Sequence, residues 1–205
     1  MADKAEGGAL VETIKTVVYA LLIAGAFRTL FFQPFWIPSG SMKDTLLIGD
    51  YILVNKFIYG VKIPFSDFTL IPIKKPQRGD ILVFKYPLDP GKDFIKRAIG
   101  VPGDIIEIRD KKVFVNGQQL EEPYAVFSDK RILPATASPR DNMNAITVPE
   151  NSLFVMGDNR DESDDSRFWK FVDMSQLKGK AFIIYWSWNH ENHGVRWNRI
   201  GSLLS

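Results

Sequence analysis

Val113-Phe114-Val115-Asn116-Gly117, residues 113–117, is the stretch that decides the fold class. Three β-favouring residues run into Asn-Gly, the dipeptide that best accepts positive φ at both central positions of a two-residue hairpin. Asp110-Lys111 predicts a turn just before it, and Pro102-Gly103-Asp104 another. Outward from here the same pattern recurs. Short apolar or alternating runs lie at Tyr51–Val54, Ile81–Phe84, Phe94–Ile99, Asp104–Ile108, Ser152–Met156 and Ala181–Trp188. Gly, Pro, Asn and Asp turns separate them, which predicts a mainly β protein built on an antiparallel sheet. Helix is sparse in this part, with one turn expected around Asp173–Leu177. Residues 125–144, AVFSDKRILPATASPRDNMN, have little periodicity and read as a long loop. Residues 104–144 are therefore expected as a small β appendage on a main domain covering residues 37–205.

The first 36 residues differ. Thr16 to Phe27 reads TVVYALLIAGAF without a charge, and the apolar character resumes after Arg28 as far as Phe32. As one helix, Thr16–Phe32 would be roughly 25 Å long, slightly short of a hydrocarbon core of about 30 Å. Lys15 and Arg28 can snorkel towards headgroups. Phe31, Phe32, Phe35 and Trp36 sit where an interfacial aromatic belt would, and Pro34 should stop the helix. A single transmembrane anchor over residues 1–36 is the reading adopted. A buried soluble helix, a cleaved leader ending at Ala24-Gly25-Ala26 and an in-plane helix compete with it. Basic residues flank both ends equally, so charge does not orient the span.

Composition excludes several chemistries. Among 205 residues there are no cysteines and two histidines, His190 and His193. Disulfides, thiol nucleophiles and Cys-ligated metals are thus absent. The 26 basic and 24 acidic residues are scattered, which argues against a nucleic-acid partner. Three segments remain that carry chemistry. Pro38-Ser39-Gly40-Ser41-Met42 places two hydroxyls and a backbone N–H in one turn, the material for a nucleophile and an oxyanion hole. The same residues also make an ordinary turn. Lys96 lies in Phe94-Ile95-Lys96-Arg97-Ala98-Ile99, where alternation gives it a face with Phe94 and Ala98. Arg97 shares the other face with Ile95 and Ile99, so one basic residue must point to an apolar side. Desolvation can turn a lysine into a base, whereas arginine stays protonated. An edge-strand lysine that discourages aggregation reads the same way. The third segment, Gly157-Asp158-Asn159-Arg160-Asp161-Glu162-Ser163-Asp164-Asp165-Ser166-Arg167, fails the EF-hand pattern: counted from Asp158, position 6 is Ser163 rather than Gly and position 12 is Trp169 rather than Glu. A different calcium loop, a polar surface loop and a bracing hydrogen-bond network all fit it.

Taken together and in this order, PSGSM, RGDILVFKYP with DFIKRAIGVPGD, and GDNRDESDDSR resemble the sequence boxes of the bacterial type I signal peptidases. The resemblance spans about residues 35–201. It implies a membrane-bound serine endopeptidase of the cytoplasmic membrane, single-pass, with its catalytic domain on the extracytoplasmic face. Its implied partners are preprotein signal peptides, the lipid bilayer and the protein-export machinery, with no cofactor and no metal. By motif position Ser41 would be the nucleophile and Lys96 the general base. Ser39 and the Ser41 amide would form the oxyanion hole. Ser163, Asp165 and Arg167 would support the lysine. Phe35, Ile37, Met42, Leu46, Val83 and Ile95 match the lining of shallow pockets for small substrate residues at −3 and −1. Asp44 departs from the family, in which proline is common at this position. The competing functions are another Ser–Lys processing peptidase, pilin-type or self-cleaving, and a non-enzymatic membrane-tethered β module.

Overall fold

The computed structural model describes residues 11–22, 25, 31–62, 69–71 and 73–204. Fourteen strands occur among them: β1 (Phe32–Trp36), β2 (Asp50–Asn55), β3 (Val61–Lys62), β4 (Thr69–Ile71), β5 (Ile81–Tyr86), β6 (Asp89–Gly100), β7 (Ile105–Arg109), β8 (Lys112–Val115), β9 (Gln118–Gln119), β10 (Met143–Thr147), β11 (Ser152–Met156), β12 (Val172–Asp173), β13 (Leu177–Asn189) and β14 (Gly194–Val195). The main sheet runs β1-β2-β13-β5-β6-β11-β12, with β14 also paired to β13. A separate four-stranded sheet runs β10-β7-β8-β9, and β3 pairs β4. All strand pairings are antiparallel.

The expected hairpin is present. Asn116 and Gly117 have φ of 54° and 80°, and Val115 pairs Gln118 across them. Asp110 and Lys111 turn β7 into β8 in the same way, with φ of 48° and 68°. Both turns match the right-handed twist of the flanking strands. The second sheet draws its strands from Ile105 to Thr147, and residues 125–142 within that stretch carry no regular strand.

Three apolar clusters hold the sheets together. The first joins Ile37, Met42, Leu46, Ile52, Val54, Ile81, Val83, Ala181 and Ile184. Here β2 alternates buried Ile52 and Val54 with half-buried neighbours, as one covered face requires. The second cluster contains Leu82, Phe84, Ala98, Leu153, Val155, Val172 and Leu177. β5 is buried on both faces because Ile81 and Val83 serve the first cluster and Leu82 and Phe84 the second. The third joins Ile99, Phe154 and Met156 of the main sheet to Ile106, Ile108, Val113 and Val115 of the appendage.

The N-terminal expectation is corrected in part. Residues 11–22 are helical, but Phe32 to Trp36 form β1, paired to β2 with Pro34 opposite Leu53. β1 is an edge strand, which is where a proline lacking its N–H is tolerated. The sheet therefore begins at Phe32 rather than after Trp36. Among the described residues no helix is long and apolar enough to cross a membrane. Residues 23–24 and 26–30 of the expected span lie outside the described residues.

Candidate active site

The link between β1 and β2 is a compact turn. Its ends are closed by Ile37 N–H to Asp50 O at 2.9 Å and Gly49 N–H to Ile37 O at 3.0 Å. Leu46 N–H donates to Met42 O at 2.7 Å, and both side chains are fully buried. Met42 and Leu46 thus anchor the turn in the first cluster and hold Ser41 at its apex.

Lys96 reaches this apex from β6. Its Nζ donates to Ser41 Oγ at 2.7 Å. The lysine is 4% exposed, and its Nζ stands 5.3 Å from the Phe94 ring centroid. Tyr86 stacks on Phe94 at 4.1 Å between centroids and donates from its hydroxyl to Asp164 at 3.2 Å, walling this side. Burial pushes the Lys96 amine down from 10.5 to about 8, against the upward pull of Asp165 and Asp164. An amine in this state is a usable proton acceptor near neutral pH.

Arg97 is buried too, at 2% exposure. Lys96 and Arg97 are therefore both buried, Lys96 beside Phe94 and Arg97 in a pair. Arg97 makes a two-pronged pair with Asp158, at 2.9 Å for each nitrogen, and stacks on Tyr124. A paired guanidinium satisfies the face that an unpaired one would disrupt.

The 157–167 loop completes the site. Asn159 N–H donates to Ser41 O at 3.1 Å, and its side-chain amide donates to Gly40 O at 3.1 Å. Thr45 Oγ1 donates to Asp158 at 2.6 Å. A Cβ on Gly157 would overlap both Ser41 O and Ser163 Oγ, so only glycine fits. Asp165 is fully buried and accepts from Arg167 Nε and Nη2 at 2.8 Å each, and from Gly157 N–H at 3.0 Å. Burial alone would raise its carboxyl, but the charge and hydrogen bonds of Arg167 hold it below the usual range. Ser163 Oγ is buried and has no hydrogen-bond partner among the described residues.

The calcium alternative finds no support in this packing. Asp158, Asp161 and Asp165 face Arg97, Lys111 and Arg167. Among the described residues no cluster of three potential ligands forms. His190 and His193 stand exposed in the turn that joins β13 to β14.

The predicted pocket residues divide. Phe35 and Ile95 are partly exposed, whereas Ile37, Met42, Leu46 and Val83 are buried in the same cluster. Val83 pairs Ile95 in register, and Leu82 pairs Lys96, so Ile95 and Lys96 project from opposite faces of β6. The Ser41 turn spans both faces. Ser39 is exposed beside it. Gly157, Asp158 and Asn159 stood in the third segment without individual roles, and Thr45 carried no site role at all; the acidic, Asn- and Arg-bearing composition of that segment is the signal that pointed to a bracing network.

A hydroxyl bonded to a buried amine of lowered pKa, on a turn of an antiparallel sheet, fits the class of serine hydrolases with an amine base. The family comparison then narrows the class: the chain belongs to the signal peptidase family, peptidase S26, whose model matches residues 10–186. It is a serine peptidase. Signal peptidase I of Pseudomonas aeruginosa is 39% identical, covering 87% of this chain and 73% of its own length. Signal peptidase I of Pseudomonas fluorescens is 36% identical, covering 94% and 78%. A crystal structure of a signal peptidase I from Enterococcus faecalis aligns at 38% identity and a TM-score of 0.43, over 53% of this chain and 97% of that one.

Proposed function

We propose that the protein cleaves signal peptides from exported preproteins, after small residues at −3 and −1, with Ser41 as nucleophile and Lys96 as general base. The observation that carries this reading is the 2.7 Å bond between Lys96 Nζ and Ser41 Oγ on a buried lysine. Neutral Lys96 takes the Ser41 proton as Oγ attacks the scissile carbonyl. Ser39 Oγ and the Ser41 N–H then hold the oxyanion; neither makes a hydrogen bond among the described residues. The protonated lysine gives its proton to the leaving amine, and water releases the acyl group from Ser41. β11 leaves the side of β6 at the Met156–Arg97 pair, so residues 93–96 present an open edge. An extended substrate adds there as a strand, beside the nucleophile. Phe35 and Ile95 offer the surface that meets its small side chains, with Ile37, Met42, Leu46 and Val83 as the floor.

Ser163, Asp165 and Arg167 fix the lysine environment in this reading. The protein is anchored in the cytoplasmic membrane by the apolar N-terminal run, with the sheet on the extracytoplasmic face and within reach of the export machinery. In favour of this, Val11, Ile14, Val17, Val18, Tyr19, Leu21 and Leu22 are all exposed on the helical segment. Trp36, Tyr51 and Trp186 also form one cross-strand row, extended by Trp197 packed edge-on against Trp186. Such aromatics favour a membrane interface.

The test is cleavage of a defined preprotein by wild type, Ser41→Ala and Lys96→Ala, with N-terminal sequencing of the product. Both variants are expected to be inactive and folded. Normal cleavage by either one removes the assignment.

A further inference from the structure

Lys111 is an unusual residue for its place. It is the second residue of the β7–β8 turn, with φ of 68°, where Gly or Asn is the easier choice. Its side chain is only 11% exposed. A lysine that served solubility would point outward. Instead its Nζ donates to Asp129 O and to Asp161 Oδ1, each at 2.6 Å. Asp141 Oδ1 lies 3.8 Å away, and the Phe127 ring is 5.6 Å from Nζ.

Asp161 is 2% exposed, and its second oxygen accepts Asp129 N–H at 2.8 Å. One amine and one carboxylate therefore join three segments: the β7–β8 turn, the 126–142 loop and the 157–167 loop. Arg140 reinforces the join. It pairs Asp141 at 2.8 Å and Asp129 at 3.2 Å, and stands 3.6 Å from Asp161. Its carbonyl accepts Arg167 Nη1 at 2.9 Å. Val126 completes the clamp by exchanging backbone hydrogen bonds with Asp158 and Arg160.

The charged groups that face Lys96 are Asp165, Asp164, Arg167 and Asp158. All four stand on the 157–167 loop. We propose that Lys111 is a positioning residue for the Ser41–Lys96 pair, pinning the appendage onto the loop that sets the surroundings of Lys96. The proposal rests on the reading of Ser41 and Lys96 as the reacting groups. The loop touches Ser41 directly, through Asn159 N–H to Ser41 O at 3.1 Å, and acts on Lys96 through its charges. Without Lys111 the loop loses the amine that ties Asp161 to Asp129 O and to the β7–β8 turn, whether or not Asp161 is charged, and a charged Asp161 also loses the nearer of its two cations, so the loop opens. Opening also admits water to Lys96. Burial is the largest influence on that amine, so its loss moves the amine towards its ordinary value.

The test is kcat/KM against pH for the full chain in detergent, using a preprotein substrate. The variants are Lys111→Met, Lys111→Arg and the double Lys111→Met/Asp161→Asn. Lys111→Met should lose activity at pH 7 on the order of tenfold, mainly in kcat, because small misplacements of a reacting pair are costly. Its acid limb should move up by about half a pH unit or more. Lys111→Arg should keep the wild-type limb. The double variant leaves no unpaired charge, so it folds even if Lys111→Met does not, and it should still have the displaced limb. A folded double variant with the wild-type limb overturns the proposal. Normal cleavage by Ser41→Ala or Lys96→Ala overturns the underlying reading instead, a distinguishable result.

Discussion

Lys96 is held in a state that water would reverse. Its lowered amine, about 8, sets the expected pH dependence. With Lys96 as base, kcat/KM should rise with pH up to a limb near 8 and flatten above it. The same burial has a cost in stability. The folded value lies below the unfolded one, so the penalty is complete below pH 8, fades as pH rises from 8 to 10.5 and is gone above that. Lys96→Met should therefore be inactive yet more stable at pH 7, on the order of 3 kcal/mol, at about 1.4 kcal/mol for each tenfold loss of proton affinity. Chemical denaturation of both proteins at pH 7 and pH 11 checks this, since the gap should close at the higher pH. The candidate base was legible in the sequence because a lysine in an apolar strand stands out. The burial of Arg97 was not, since its partner Asp158 lies 61 residues away and local alternation cannot reveal it.

The 157–167 loop has little regular structure, yet it is the most constrained element of the site. It carries a 3₁₀ turn, Arg160–Glu162, and runs into one short α-helix, Ser166–Trp169, capped by the Asp165 side chain. Its constraint comes from paired charges and from the contact of Gly157 with the serine turn. Arg167→Ala would leave Asp165 fully buried without its cation and should cost about 3–5 kcal/mol of stability. Thermal denaturation reads that loss directly. Gly157→Ala should act on both counts: its Cβ would displace Ser41, so activity should collapse by about a hundredfold, and the same overlap should cost about 1–3 kcal/mol of stability. Strand content was the most legible level. The runs at residues 51–54, 81–84, 94–99 and 152–156 became β2, β5, β6 and β11. β1 was missed because Phe32 to Trp36 continues an apolar run and contains a proline. β12 and β14, of two residues each, are too short to leave a pattern.

Across the whole molecule the apolar helical segment and the aromatic row lie outside the packed core. On the proposed reading of the N-terminal segment as the anchor, the full chain should float with lipid vesicles, and a variant lacking residues 1–30, the part of that segment before the sheet begins, should lose most of that binding. Flotation reads both, and tryptophan emission should shift to the blue for any binding left to Trp36, Trp186 and Trp197. The strand order has a further consequence. The serine turn belongs to β1 and β2, whereas the lysine belongs to the β5–β6 hairpin. In the main sheet these two pairs do not touch; β13, residues Leu177–Asn189, lies between them and bonds to both. A ribosome that has delivered the serine and the lysine has delivered two halves without the strand that joins them. The proposed pair should therefore come together only once β13 has been made, which keeps a nascent chain harmless to its neighbours until residues 177–189 have emerged.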